Sequence, residues 1–483
     1  MSRAVAVPIG AGGVRWERSV LIGVVVAEAL LISAGFLFGS PFPALAIAAG
    51  ICFFFVAYRS PDFAWALVWI SVPLDIEVLL PGGIAVTVPT EPMIALALLA
   101  WFLRSIPRRP WRLPPSPLHR SFAVVSVFIL LSAGWSIRPI ASIKSWVMMG
   151  GYALFGYLYF FQTRCSAERR RRWLALTAAI GAVWGIFGLV RVLTIGGAGL
   201  EAESIASTYA YGAFRPFFSE HGTYCAYLGM LLPVTLLATM ESRGRMRLFY
   251  GFATFCIGAG IVLSFARAGW LSLAVVVPIT LFLWARWRKA LRRLLVPALL
   301  ALGISAIVVA FGVGSQLSRH AASVVSERNL SNLERVNRWY TAYLMARDHP
   351  VLGVGYGCYL DAYHLYRAKT YVTDQTYIRM GAHSEPLKVL CELGVIGLLL
   401  VIWFLVAVVR LALRCFRELS DPGDRVLVLA AVAGLSTYFV NGIFNAYLVE
   451  GKVTLPFWVG IGVIAALGRR LPDRTSHDSA GAT

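Results

Sequence analysis

Apolar runs of roughly 18 to 25 residues, each the length an α-helix needs to cross a bilayer, recur along this chain from residue 19 to residue 468. That recurrence constrains the fold more than any other feature. Within hydrocarbon every backbone N–H and C=O must be satisfied inside the segment itself, so runs of this kind are read as helices. Fourteen spans are predicted, near 19–39, 42–58, 63–80, 91–104, 120–136, 145–163, 173–195, 221–240, 247–265, 268–286, 291–313, 393–414, 425–446 and 454–468. The second, fourth and last are short, and a count of about twelve is the alternative. Only 14% of the residues are charged, against roughly a quarter in a soluble domain. The predicted fold class is all-α, a polytopic membrane protein with one large, partly helical external loop.

The formal net charge is +20, which on a soluble protein raises the question of nucleic acid. Here the arginines and lysines fall in alternate short connections: the N-terminal tail, Arg59, 104–120, 164–172, 241–247, 285–293, 414–425 and the final GRRLPDR segment. That alternation sets membrane orientation, so the expected partners are membrane lipids and not nucleic acid. It predicts cytoplasmic tails at 1–18 and 469–483, a bundle of about eleven helices over 19–313, an external loop over 314–392 and the last spans over 393–468. No cleavable signal peptide is evident at the basic N-terminus. Cysteines 52, 165, 225, 256, 358, 391 and 415 show no metal-ligand spacing and read as small apolar residues. A disulfide between Cys358 and Cys391 has only weak support.

The interval 334–400 is the longest polar stretch, and a polar insertion among membrane spans is where chemistry is expected. It opens on a predicted helix, capped from Asn329 or Ser331, that carries Arg335, Arg338 and Trp339 and ends at Asp348-His349-Pro350. Gly353, Gly355 and Gly357 then demand an irregular turn; with no strand before them they are no nucleotide fingerprint. His383, Glu385 and Glu392 follow at the entry to the next span. Arg335 and Arg338 share a helical face, as a solvated amphipathic helix also would. Arg267, at the outer end of a span, is either a snorkelling anchor or a fixed cation facing an anionic head group. His383 is either a structural hydrogen-bonding residue or a base poised near neutral pH. Arg215 and His221 lie in FRPFFSEHGTY before the eighth span. Asp75, Glu77, Arg191 and Glu28 are ambiguous, because an ionisable group in a span is functional by default yet helix ends explain many. His349 and His364 are poorer candidates.

The series Arg335-x-x-x-Trp339, then HPVLGVGYG (349–357), then HSEPLKVLCELGVIG (383–397) resembles the signature region of the O-antigen ligase and O-antigen polymerase family. The resemblance covers roughly residues 205–410. Ser264-Phe265-Ala266-Arg267-Ala268-Gly269 is similar to the family's Ser-Arg-Gly/Ala element but inserts two residues. The segment around Arg215 lacks the family's Pro-Asn. The resemblance implies a glycosyltransferase of the bacterial inner membrane with its site facing the periplasm. The implied donor is a glycan on undecaprenyl diphosphate; the implied acceptor is a sugar hydroxyl, on another lipid-linked repeat for a polymerase or on lipid A–core for a ligase. It further implies His383 as the base, Arg267, Arg335, Arg215 and Arg338 as diphosphate-binding cations, and Glu385, Glu392 and Trp339 as supporting residues. No metal and no cofactor are expected, and a chain-length regulator protein is a candidate partner. Family members with fourteen spans are more often polymerases and those with twelve more often ligases, so polymerase is favoured. A lipid-linked glycan transporter and a non-catalytic assembly scaffold are the readings from other classes.

Overall fold

The computed structural model of the protein describes residues 42–80, 84–106, 115–162, 166–196, 213–289, 297–298, 301, 330–370, 372, 381–448 and 450–471. They fall into two compact units. The smaller holds helices α1 (Phe42–Arg59), α2 (Pro61–Ser71) and α3 (Thr90–Ser105). Ser60 interrupts the first two, its carbonyl accepting from Phe63 and Ala64, and Pro61 follows where a missing N–H costs nothing. Trp65 and Trp69 stack 5.3 Å apart on the buried face of α2. The hydroxyls of Ser71 and Thr90 bond at 2.8 Å.

The span expected over 63–80 is not a continuous helix. Helix α2 stops at Ser71, Val72–Leu74 make one 3-10 turn, and strands β1 (Ile76–Leu80) and β2 (Ile84–Val88) pair as a hairpin. Pro73 disfavours helix at this point, and Ile76-Glu77-Val78 then alternates with the period of a strand. Asp75 and Glu77 therefore lie outside any span. Asp75 is buried, and its carbonyl accepts from Lys452 Nζ at 2.8 Å.

The larger unit contains α4 (Pro117–Leu131), α5 (Pro139–Ala153, continued by a π turn at Leu154–Leu158 and by Tyr159–Gln162) and α6 (Ala167–Gly196). It continues with α7 (His221–Glu241), α8 (Gly244–Leu263) and α9 (Arg267–Arg288). The polar insertion supplies α10 (Leu330–Asp348) and α11 (Tyr359–Tyr366), after which come α12 (Glu385–Glu418), α13 (Pro422–Gly442) and α14 (Gly451–Gly468). Among the described residues eight helices are long and apolar enough to cross a membrane: α4 with its 3-10 extension, α6 to α9, and α12 to α14. This is an all-α polytopic membrane fold. The predicted spans 19–39 and most of 291–313 lie outside the described residues.

Helix α7 is the hub. It packs against α6, α8, α9, α13 and α14, and nearly all of its residues are buried. Helix α12 instead exposes Leu399, Ile402, Val406 and Val409, the side chains expected to meet lipid. Helices α6 and α8 come into backbone contact at Gly185, where an added Cβ would stand 2.4 Å from the Cys256 carbonyl. Small residues permit such close crossings between membrane helices.

Short connections alternate the helix directions. The starts of α7, α9, α12 and α14 and the ends of α8 and α13 therefore share one end of the bundle. His221 Nδ1 lies 2.8 Å from the Ser264 carbonyl, joining α7 to α8. Glu385 Oε2 accepts from Tyr447 N at 2.8 Å, joining α12 to the segment before α14, and Asn441 Nδ2 donates to Ser272 Oγ at 3.1 Å between α13 and α9. The opposite end is basic and laced with ion pairs. Arg170 bridges Asp421 at 3.1 Å and Asp424 at 2.5 Å, Arg470 also meets Asp424, and Arg288 meets Glu241.

Gly185→Leu should force α6 and α8 apart at a cost of about 1–3 kcal/mol. Thermal unfolding of the detergent-solubilised protein should show a clearly lower midpoint; an unchanged midpoint contradicts the close crossing.

Candidate functional site

The polar insertion docks on the first turns of α12 through backbone that only glycine allows. Gly394 has φ 66° inside α12, and Gly353 has φ 69° in the loop after α10. An added Cβ on Gly353 would fall 2.3 Å from the Glu392 carbonyl carbon. The freed groups pair across this contact: Val354 N to Cys391 O at 3.0 Å, Gly355 N to Glu392 O at 2.9 Å, and Val395 N to Pro350 O at 2.9 Å. The buried Glu392 carboxylate accepts from Tyr359 N at 3.0 Å. Glu392 thus fixes the glycine loop and α11. Cys358 and Cys391 are both free and buried in the core beneath.

Helix α10 is anchored on the same core. Met345 and Ala342 pack with Tyr359 and Tyr363, Asn337 Nδ2 donates to Ala368 O at 3.1 Å and Thr370 O at 2.6 Å, and Tyr359 OH donates to Arg338 O at 3.2 Å. Trp339, one position past Arg338, sends its indole N–H to the backbone carbonyl of His383 at 2.9 Å. His383 has φ 49°, a left-handed backbone that a residue with a Cβ adopts only when its surroundings hold it there. Its Nδ1 lies 3.4 Å from Asn445 Oδ1. Glu385 accepts from the N–H groups of Tyr447 and Leu448, fixing the segment that carries Asn445.

Arg267 begins α9 in a comparable turn. Ser264 Oγ accepts from Ala266 N at 3.2 Å and Phe265 has φ 55°, so the two inserted residues form the bend that delivers Arg267 to the helix start. The charge of Arg335 acts on Arg267, on His383 and on Glu220; that of Arg338 acts on the latter two. Arg338 is buried at 1% exposure while Arg335 is half-buried, so the pair divides into an inner and an outer cation. Arg215 is exposed on the turn before α7, and the structure does not draw it into this group. Arg191 is bound to the Ala213 carbonyl at 2.6 Å, a role in holding that turn.

Burial, and then the charges of Arg338 and Arg335, push the His383 imidazole down to about 4, against the hydrogen bond with Asn445, which raises it. The ring is neutral at pH 7 and its free nitrogen lone pair is available as a base. Two acids that the sequence did not mark join the site. Burial and the neighbouring Glu450 push the Glu220 carboxyl up to about 7, while Arg335 and Arg338 pull the other way. Burial also raises Glu450, opposed by Lys452. Glu220 stands in a segment singled out for Arg215 and His221. Glu450 and Asn445 sit in a connection too short to register as a loop. The visible signal was the density of polar groups in Asn445-Ala-Tyr447-Leu-Val-Glu450-Gly-Lys452. Among the described residues no group of three or more His, Cys, Asp or Glu is placed to hold a metal ion.

Residues 252–402 match the family described as O-Antigen ligase. The matched segment contains Arg267, Arg335, Arg338, Trp339, His383, Glu385 and Glu392, and leaves Glu220, Asn445 and Glu450 outside. A protein of Haemophilus influenzae described as uncharacterized is 27% identical over 148 residues. That similarity covers 29% of this chain and 37% of the relative's length.

The two shifted groups make opposite predictions for stability. The Glu220 carboxyl is raised from 4.5 to about 7, so its contribution is lost as pH rises across that window. The His383 imidazole is lowered from 6.5 to about 4, so its contribution is lost as pH falls across that window. Glu220→Gln, which cannot ionise, should raise the melting temperature by a few degrees near about pH 8, with the gain fading toward about pH 4.5. His383→Gln should flatten the acid side of the profile. Parallel melting profiles for wild type and both variants contradict these assignments.

Proposed function

We propose that this chain, whose residues 252–402 match the family described as O-Antigen ligase, transfers a glycan from undecaprenyl diphosphate to an acceptor sugar hydroxyl. The observation that carries this reading is one grouping. Arg335 acts electrostatically on both Arg267 and His383, while Trp339, on the same helix, holds the His383 backbone. Cations and a neutral imidazole at one mouth of a membrane bundle suit a lipid diphosphate whose sugar must be attacked by a hydroxyl. Arginine fits the task because its planar fork pairs bidentately with phosphate oxygens and stays charged.

In this mechanism Arg267 and Arg335, backed by the buried Arg338, neutralise the diphosphate and stabilise the charge that grows on it as it leaves. The acceptor oxygen forms the new bond to the anomeric carbon from the face opposite the diphosphate. The carbon–oxygen bond to the diphosphate breaks with its electron pair leaving on phosphate, and the configuration inverts. With Nδ1–H donating to Asn445, His383 Nε2 takes the acceptor proton and later returns it to water. The bound diphosphate offsets the arginine charges, so the imidazole grows more basic when the substrate that needs it is present.

The acceptor we favour is another lipid-linked repeat, which makes the chain a polymerase of the periplasmic face. Transfer to lipid A–core is the second reading, favoured by the description of the matching family. The ion-paired basic end of the bundle supports a cytoplasmic position for that end and a periplasmic one for the site. A transporter would be expected to carry its polar site near the bilayer midplane, whereas this one gathers at helix ends.

With purified protein, lipid-linked donor and acceptor, His383→Ala and Arg335→Ala should each lower transfer at least about 100-fold while the protein still inserts. Arg335→Lys should restore little, because an ammonium cannot reproduce the fork. Near-normal product from His383→Ala removes it as the base. Trp339→Phe, which loses one hydrogen bond of about 1 kcal/mol, should slow transfer by roughly five- to tenfold without loss of folding. An unchanged rate removes its positioning role.

A further inference from the structure

Glu220 enters the site from an element that the family match does not cover, and its surroundings are unusual for a carboxylate. It is the residue before α7 and lies within electrostatic reach of the cations of α10. Its Oε1 is 3.4 Å from the point a Cβ on Gly222 would occupy, and the Tyr447 hydroxyl is 2.6 Å from that point. Tyr447 is 1% exposed, and its hydroxyl has no hydrogen-bond partner among the described residues. A buried phenol hydroxyl unpaired near a carboxyl calls for an explanation, and a ligand oxygen supplies one. Among the described residues no carboxylate closes a direct ion pair on Arg335. The charged groups acting on Glu220 are Glu450, from the segment before α14, and Arg335 and Arg338 from α10. Glu450 in turn feels Lys452 of α14, Glu77 of β1 and Lys388 of α12.

We propose that Glu220 is the resident counter-ion of the arginine pair, and that it takes up a proton as a sugar-linked diphosphate displaces it. This rests on the reading of Arg335 as a diphosphate-binding residue. Before donor binds, the Glu220 carboxylate partly offsets the guanidinium charges. An arriving diphosphate brings two negative charges to the same cations. The carboxylate then faces anionic oxygens with its compensation withdrawn, and like charges at close range cannot both stay ionised. One proton from solvent binds Glu220, which remains as a neutral carboxylic acid. Its O–H, with the Tyr447 hydroxyl, becomes a donor toward a phosphate or sugar oxygen. Glu220 is thus a positioning residue that couples donor binding to proton uptake. It carries no step of the transfer itself.

The test uses the full chain in detergent and N-acetylglucosamine linked through diphosphate to a farnesyl chain. Each phosphate of this probe carries one ester bond and the shared anhydride, so the probe has no group titrating near neutrality. Calorimetric titrations at about pH 6 and about pH 8, in two buffers of different ionisation enthalpy, give affinity and protons taken up. Wild type should take up a substantial fraction of one proton and bind roughly tenfold more weakly at the higher pH. Glu220→Gln should abolish most of the uptake and bind at least about fivefold tighter than wild type at about pH 8. Glu220→Asp should keep the pH dependence. A Glu220→Gln protein with the wild-type proton count and pH dependence overturns the proposal while leaving the diphosphate reading intact. Undiminished binding by Arg335→Ala, or no binding by wild type, overturns both.

Discussion

Like charges repel, and one end of this bundle gathers several. Two unit charges a few ångströms apart at a protein surface cost on the order of a few kcal/mol, and the guanidinium groups of Arg335 and Arg338 also depress the basicity of His383. The fold must offset that repulsion before any ligand arrives. It does so by packing. Helix α10 is fixed through the apolar side chains of Ala342, Met345, Tyr359 and Tyr363 and through the Asn337 amide. Of these groups, Tyr363 also places its ring 6.0 Å from the Arg338 guanidinium. The break at Gly394 serves the same end, because it lets the glycine loop seat on α12 and lock α11 through Glu392. A membrane bundle thereby carries a small folded platform whose core is apolar and whose rim is charged.

Local strain falls where the candidate chemistry is. His383 and Phe265 both hold left-handed backbone, a conformation that costs a residue with a Cβ about 1–2 kcal/mol. Trp339 and Asn445 hold the first, and the Ser264 hydroxyl and His221 the second. Strain retained at such positions is a mark of selection for geometry over stability.

Much of the architecture could be read from the residues. Apolar runs long enough to span gave helices at His221–Glu241, Gly244–Leu263, Arg267–Arg288 and Pro422–Gly442 within a few residues of expectation, because length and hydropathy are local properties. Pro73 is visible too, yet the run around it is apolar enough to read as a span, and an alternation as short as Ile76-Glu77-Val78 carries little signal by itself. Site residues divide in the same way. Arg267, Trp339 and His383 stood in recognisable spacings. Arg335 and Arg338 shared one helical face in sequence, and only tertiary packing shows Arg338 as the buried one. Glu220 and Glu450 are single acids at helix starts, ordinary in sequence and brought together by chain directions that no local pattern encodes. The same packing gives Asp75 and Arg191 their places as backbone anchors.

The account stands on cations and an imidazole sharing one ligand. Its most direct test is an experimentally determined structure of the protein in lipid nanodiscs with a sugar-linked lipid diphosphate bound. The diphosphate should lie between Arg267 and Arg335, with the anomeric carbon turned toward His383 and the leaving oxygen turned away from it. A diphosphate held at the opposite, ion-paired end of the bundle, or seated with His383 remote from the sugar, contradicts it.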